Sequence, residues 1–299
     1  MGYSIPGFVM VDRATTAVVK HRRQARPGVL AAEGVLGLIV LLAILPNAFA
    51  PHSALDQDLA TRLRPPAWLA GGSWDHVLGT DALGRDVLSR IIFGARVSLA
   101  VGVMAVVVSG VLGVGLGVIA GYFRGHVDDL IMRVTEVQLS FPFILAAVAI
   151  VSVLGAGLRN IILVLGLTGW TTYARVVRGA ALALREQEFL EAARAVGCSH
   201  FRVMRRYILP NIMGTVLVLG TFALATFVIA ESALSYLGLG VQPPTPTWGG
   251  MLADGYLYLR TAWWITTFPG LVLMLTVLSI NVIGDWARDV FDPRLRNIL

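Results

Sequence analysis

Six stretches of this sequence, 29–50, 97–123, 141–154, 161–173, 214–240 and 265–283, run almost without charge, with only Glu33 and Glu231 interrupting them. A helix needs roughly 20 apolar residues to cross the hydrocarbon core of a bilayer. Lipid offers no partner to an open backbone group, so such runs are expected to form transmembrane helices. The composition agrees, with 56% hydrophobic and 14% charged residues among 299, against about 25% charged in an ordinary soluble domain. The expected fold class is an all-α integral membrane protein with six transmembrane helices.

The basic residues orient this bundle. With six spans, one face receives 17 of the 24: Arg13, Lys20, Arg22, Arg23, Arg26, Arg124, Arg133, Arg175, Arg178, Arg185, Arg194, Arg202, Arg205, Arg206, Arg288, Arg294 and Arg296. The other receives Arg62, Arg64, Arg85, Arg90, Arg96, Arg159 and Arg260. Basic loops stay on the cytoplasmic side, so both termini are expected there. The same interleaving with apolar spans argues against nucleic acid as the reason for the net charge of +6. The expected division is a cytoplasmic arm (1–28), a first transmembrane helix (29–50), an external excursion (51–92), a core of five spans (93–283) and a cytoplasmic tail (284–299). Ala48-Phe49-Ala50 has the small-x-small form of a cleavage site, but the arm before it is long for a signal peptide, so the first span is expected to be retained.

Gly113, Gly117 and Gly121 fall on one helical stripe. Either another helix backbone approaches there, or a glycine-rich chain produces the spacing by chance. Cys198, the single cysteine, rules out an intramolecular disulfide.

Segment 186–210 reads as a helical hairpin on the basic face. Helix formers fill 186–196, Gly197 permits a turn, Ser199 can cap a second helix, and Pro210 marks the start of the next span. Glu191-Ala192-Ala193, Gly197 and Leu209-Pro210 resemble the E-A-A loop of ABC importer permeases, with Tyr207 at a position where that pattern carries isoleucine and Ile208 one place later. Segment 76–90 (His-Val-Leu-Gly-Thr-Asp-Ala-Leu-Gly-Arg-Asp-Val-Leu-Ser-Arg), segment 231–249 and the closing segment 284–296 are similar to the C-type subunit of the oligopeptide and dipeptide permease group. Glu136 departs from that group's usual aspartate while keeping the charge.

The resemblance implies a type I ABC importer permease fold in a bacterial cytoplasmic membrane. It implies a homologous B-type permease as partner, two ATPase subunits or one fused ATPase, and an external substrate-binding protein. ATP and Mg would be bound by the ATPase partners, and no cofactor by this chain. The hairpin, through Glu191, Ala192, Ala193, Gly197, Leu209 and Pro210, would dock into the ATPase and act as a lever for alternating access. Peptides are the expected cargo, with nickel, glutathione or haem as alternatives carried by the same machinery.

The chain itself offers no catalytic apparatus by sequence. Its only lysine, Lys20, follows Val18-Val19 and not a phosphate-cradling glycine loop. Glu231, with Ser232 and Ser235, is the deepest ionisable site in the spans and a candidate for the pathway or its gate, or else an anchor of a helix bend. His52 and His76 share the external face, but their spacing does not suggest metal ligation, and no metal site is expected. Trp68, Trp74, Trp248, Trp263 and Trp264 are expected to form an interfacial belt. An ion-coupled transporter would require more buried ionisable residues or interrupted helices, and a membrane enzyme a catalytic cluster within the spans.

Overall fold

The structure, a computed structural model, describes residues 27–291. The basic residues of the N-terminal arm, and Arg294 and Arg296 of the tail, lie outside the described residues. The elements in order are α1 (Pro27–Ile44), α2 (Pro46–Phe49), a 3-10 turn (Leu59–Thr61), α3 (Val87–Phe123), α4 (Gly125–Leu139), α5 (Phe143–Leu154), α6 (Leu158–Arg185), α7 (Glu188–Ala195), α8 (His200–Val203), a π-helical turn (Met204–Ile208), α9 (Leu209–Tyr236), α10 (Trp248–Tyr256) and α11 (Trp264–Phe291).

Five of these helical stretches are long and apolar enough to cross a membrane, and α4 with α5 makes a sixth candidate bent by 90°. The run at 141–154 is thus not a straight span. Its helix has 12 residues, about 18 Å at 1.5 Å per residue, against a hydrocarbon core of about 30 Å. The break falls at Ser140–Pro142 because proline lacks an N–H and pushes the residue before it, Phe141, out of the helical region.

Helix α3 begins ten residues ahead of its apolar run, at Val87, so the excursion ends at Asp86 and not at 92. Its 37 residues make a rod of about 55 Å. Arginines can sit in that rod because each finds a partner. Arg96 donates to the carbonyls of Ala43 and Ile44 at 2.9 and 2.8 Å, satisfying acceptors that α1 leaves open at its C-terminus. Arg90 donates to Asp81 at 2.5 Å and Asp254 at 3.0 Å.

The most extensive helix pairing is α3 with α6, and the glycine stripe makes it. A Cβ on Gly113 would stand 2.3 Å from the Trp170 carbonyl oxygen, on Gly117 2.7 Å from that of Ala174, and on Gly121 2.7 Å from that of Arg178. No side chain fits at those separations, so the stripe is a true backbone approach. Around this pair, apolar clusters join α3, α5, α6 and α9 at Val101, Val151, Leu165 and Phe227, and α1, α3, α9 and α10 at Ile39, Leu99, Val228 and Trp248.

The tryptophan belt needs correction at two positions. Trp248 is fully buried and donates Nε1–H to the Ile91 carbonyl at 3.1 Å. Trp264 is also buried and donates to the Thr80 carbonyl at 3.1 Å. Both anchor the excursion and α10 to the bundle, whereas Trp68, Trp74 and Trp263 are exposed.

Candidate functional site

The hairpin forms as the sequence suggests. Helix α7 starts with Glu188 and Glu191 in its first turn, where negative charge favours a helix N-terminus. It stops at Gly197, whose φ of +81° is one that only glycine adopts at low cost. The Ser199 side chain then accepts the Arg202 N–H and caps α8. The chain continues through the π turn straight into α9, with Pro210 in its first turn. That widened turn carries Tyr207 and Ile208, the two residues whose order departs from the E-A-A pattern; Ile208 is fully buried and Tyr207 half-buried, 6.5 Å from the Phe189 ring.

One face of the hairpin is sewn to the bundle. Leu190, Val203 and Ile208 are fully buried in a cluster with Val118 and Tyr122 of α3 and Val177 and Ala181 of α6. The Tyr122 hydroxyl lies 2.7 Å from His200 Nδ1, and the Arg194 guanidinium stands 5.1 Å over the Tyr122 ring. The other face is open. Glu191 and Ala192 are exposed, and Glu191 has no ion pair among the described residues. Ala193 is turned inward and buried, so its small size serves packing against the chain's own bundle. Leu209 is half-buried and Pro210 exposed.

The α4–α5 elbow opens a cavity of 340 Å³ against α6 and α9. Its wall combines the aromatic rings of Phe141, Phe143, Phe222 and Phe227 with the polar groups of Gln138, Thr168, Thr171, Thr172 and Thr226. Gln138 holds the elbow in place, donating to the Leu167 and Thr168 carbonyls at 3.1 and 2.8 Å and accepting from Trp170 Nε1 at 2.9 Å.

Glu231 lies one helical turn beyond Phe227, fully buried, and is not among the residues lining this cavity. Its carboxyl accepts from Ser235 Oγ at 2.7 Å and faces Ser232 Oγ at 3.4 Å, while Ser98 of α3 accepts the Trp248 N–H of α10 at 3.4 Å. Beside it, Gly249 of α10 packs so closely that a Cβ there would stand 2.3 Å from the Ser232 carbonyl. The structure therefore brings Glu231, Ser232 and Ser235 together, at the junction of α3, α9 and α10.

A family model described as "Binding-protein-dependent transport system inner membrane component" matches residues 113–297, more than half the chain. The chain belongs to this permease family. The permease is 41% identical over 277 residues to the di/tripeptide transport system permease protein DppC of Pseudomonas aeruginosa, covering 93% of this chain and 90% of that one. It is 40% identical to the dipeptide transport system permease protein DppC of Bacillus subtilis over 92% and 85% of the two chains, and 40% identical to the glutathione transport system permease protein GsiD of Escherichia coli over 87% and 84%. Among solved structures, an inward-facing MetNI methionine ABC transporter chain matches 69% of this permease and 96% of its own length, with TM-score 0.55 at 22% identity, a likeness of fold.

Sequence reasoning missed several residues of the permease's open hairpin face. Val196 is 80% exposed, Phe201 68% and Phe189 43%. Their signal was available as apolar side chains in an otherwise charged segment, but it could not be read without knowing which face turns outward. The excursion signature resolves into folding roles. Asp81 accepts from the Leu83 and Arg85 N–H groups, from Arg85 Nε at 2.7 Å and from Arg90. Gly84 passes where a Cβ would stand 1.8 Å from the Asp58 carbonyl oxygen, and Asp86 caps α3 through the Ser89 N–H at 2.8 Å. His52 and His76, far apart in sequence, meet with ring centroids 4.7 Å apart.

Proposed function

We propose that this permease is one of two membrane subunits of an ATP-driven importer of short peptides in a bacterial cytoplasmic membrane. It pairs with a homologous B-type permease, receives substrate from an external binding protein, and is driven by two ATPase subunits or one fused ATPase. ATP and Mg belong to those partners. The single observation that carries this reading is the hairpin's division into an exposed face and a face locked to α3 and α6. A partner gripping Glu191, Ala192, Val196 and Phe201 would pull on Leu190, Val203 and Ile208, and through them on the same α6 that lines the cavity. Rigid-body motion of packed helices about such a contact is an established route to alternating access.

The cavity supports peptide as cargo. Its threonine hydroxyls and Gln138 suit amide groups, its phenylalanines suit varied side chains, and the wall has no charge to select one ionic substrate. The names of the relatives support the same class. A second reading, glutathione, has specific support, since GsiD relatives are as similar as one of the DppC relatives. Glutathione is itself a modified tripeptide.

The test is uptake by the assembled complex in proteoliposomes. Glu191→Lys, and separately Gly197→Val, are expected to abolish dipeptide uptake while the subunit still inserts and the ATPase still turns over. Normal uptake in both variants would refute the lever. Competition of labelled dipeptide by glutathione separates the two cargo readings.

A further inference from the structure

At the opposite end of α3 from the hairpin, a cluster of side chains is used by neither the lever nor the cavity. One ring nitrogen each from His52 and His76 and one carboxylate oxygen of Asp86 lie within 4.8 Å of one another. His76 Nδ1 is 3.1 Å from Asp86 Oδ1, near the roughly 3.3 Å edge of a tetrahedron with metal–ligand bonds of about 2.0–2.1 Å. The two imidazoles are tilted by 39° with their centroids 4.7 Å apart.

Each member is held independently. The second Asp86 oxygen accepts the Ser89 N–H at 2.8 Å, the His52 main-chain N–H donates to Ser89 Oγ at 3.0 Å, and His52 Nε2 lies 2.6 Å from the Asp75 carbonyl oxygen. All three are thus tied, directly or through Ser89, to the first turn of α3 or to the loop beside it. A carbonyl oxygen steering an imidazole is a common orienting device around bound metals. Asp86 is fully buried, the His76 side chain is 14% exposed and His52 is exposed, so the cluster has a closed floor and one open side. A hydrogen-bonded His76–Asp86 pair needs no second imidazole. The arrival of the His52 ring, 24 residues distant in sequence, on a backbone tethered to the same turn is what makes the cluster a ligand set.

We propose that His52, His76 and Asp86 bind a divalent transition-metal ion of the zinc, nickel or cobalt type. Two imidazoles and one carboxylate suit these borderline cations better than calcium or magnesium, which favour all-oxygen sites. The ion takes the place of the proton in the His76–Asp86 contact, which leaves to solvent. Water fills the open side. The ion ties the chain that follows α1 and α2 to the head of α3, and it does so whether or not the importer carries peptides.

The test uses the full chain, purified without a polyhistidine tag, stripped with chelator and titrated with zinc chloride by calorimetry. One ion per chain is expected, with a rise in the thermal unfolding temperature. Cobalt(II) in place of zinc should give visible ligand-field absorption. His52→Ala, at an exposed position, should fold normally, weaken zinc binding by at least about tenfold and lose the thermal shift; His76→Gln should do the same. Absence of stoichiometric binding in the unaltered chain, or undiminished binding by a folded His52→Ala chain, would overturn the proposal.

Discussion

The two ends of α3 carry the two densest motifs in the chain and use them in opposite ways. At the excursion end, Asp81, Arg85 and Arg90 are buried and pair with one another, so a signature rich in charge is consumed in folding. At the hairpin end, Glu191, Val196 and Phe201 face outward, Glu191 with no ion pair among the described residues, while Leu190, Ala193 and Val203 beside them are buried. A conspicuous motif alone does not tell docking from folding. Which side chains the backbone turns outward does.

That contrast is most exposed to failure at Asp81. Asp81→Ala leaves Arg85 and Arg90 as buried cations short of a counter-charge, a change expected to cost about 3–5 kcal/mol. The expected result is loss of folded protein on solubilisation, seen as aggregation by size-exclusion chromatography. Asp254 contacts the same arginines from a side chain that is 44% exposed, so Asp254→Ala should cost no more than about 1 kcal/mol. Equal effects in the two variants would show that the network is not organised around Asp81. Next in size is the seam joining the two ends. Gly117→Val forces a side chain against the Ala174 carbonyl and Val177 and should cost about 1–3 kcal/mol by overpacking, measured as a lowered unfolding temperature in detergent. Gly115, which faces open space, is the control, expected to lose less.

The spans were legible because apolar runs of such length leave few alternatives, and the hairpin because its turn and cap residues act locally. What was hidden depended on contacts distant in sequence. Helix α3 extends back through Arg90 and Arg96 only because Asp81, Asp254 and the end of α1 receive those charges. Trp248 and Trp264 read as interface residues until the carbonyls of Ile91 and Thr80 turn out to accept their indole N–H groups. The third span showed a warning in Pro142, but a 90° elbow is set by how Gln138 pins α4 to α6, which no local pattern encodes. The spacing of His52 and His76 gave no sign of a ligand pair, and only the path of the excursion brings them together.

At the hairpin the expected losses of stability are small. Ser199→Ala removes the α8 cap and should cost about 1 kcal/mol, confined to the hairpin and seen as faster amide hydrogen exchange there with little change in global unfolding.

Phe201→Ser is the mildest change for the isolated subunit and the sharpest test of the contrast. The side chain is 68% exposed and outside the apolar clusters, so its removal should shift stability by no more than about 0.5 kcal/mol. If the open face seats a partner, the same substitution should weaken co-purification of the ATPase and reduce ATP-dependent uptake by an order of magnitude or more, since exposed aromatic anchors often dominate a small interface at about 2 kcal/mol or above. A variant that loses folding and partner together would place Phe201 with the buried residues and dissolve the distinction between the two ends. A variant that keeps folding, ATPase binding and uptake would leave the hairpin's outward apolar face without the role that its exposure implies.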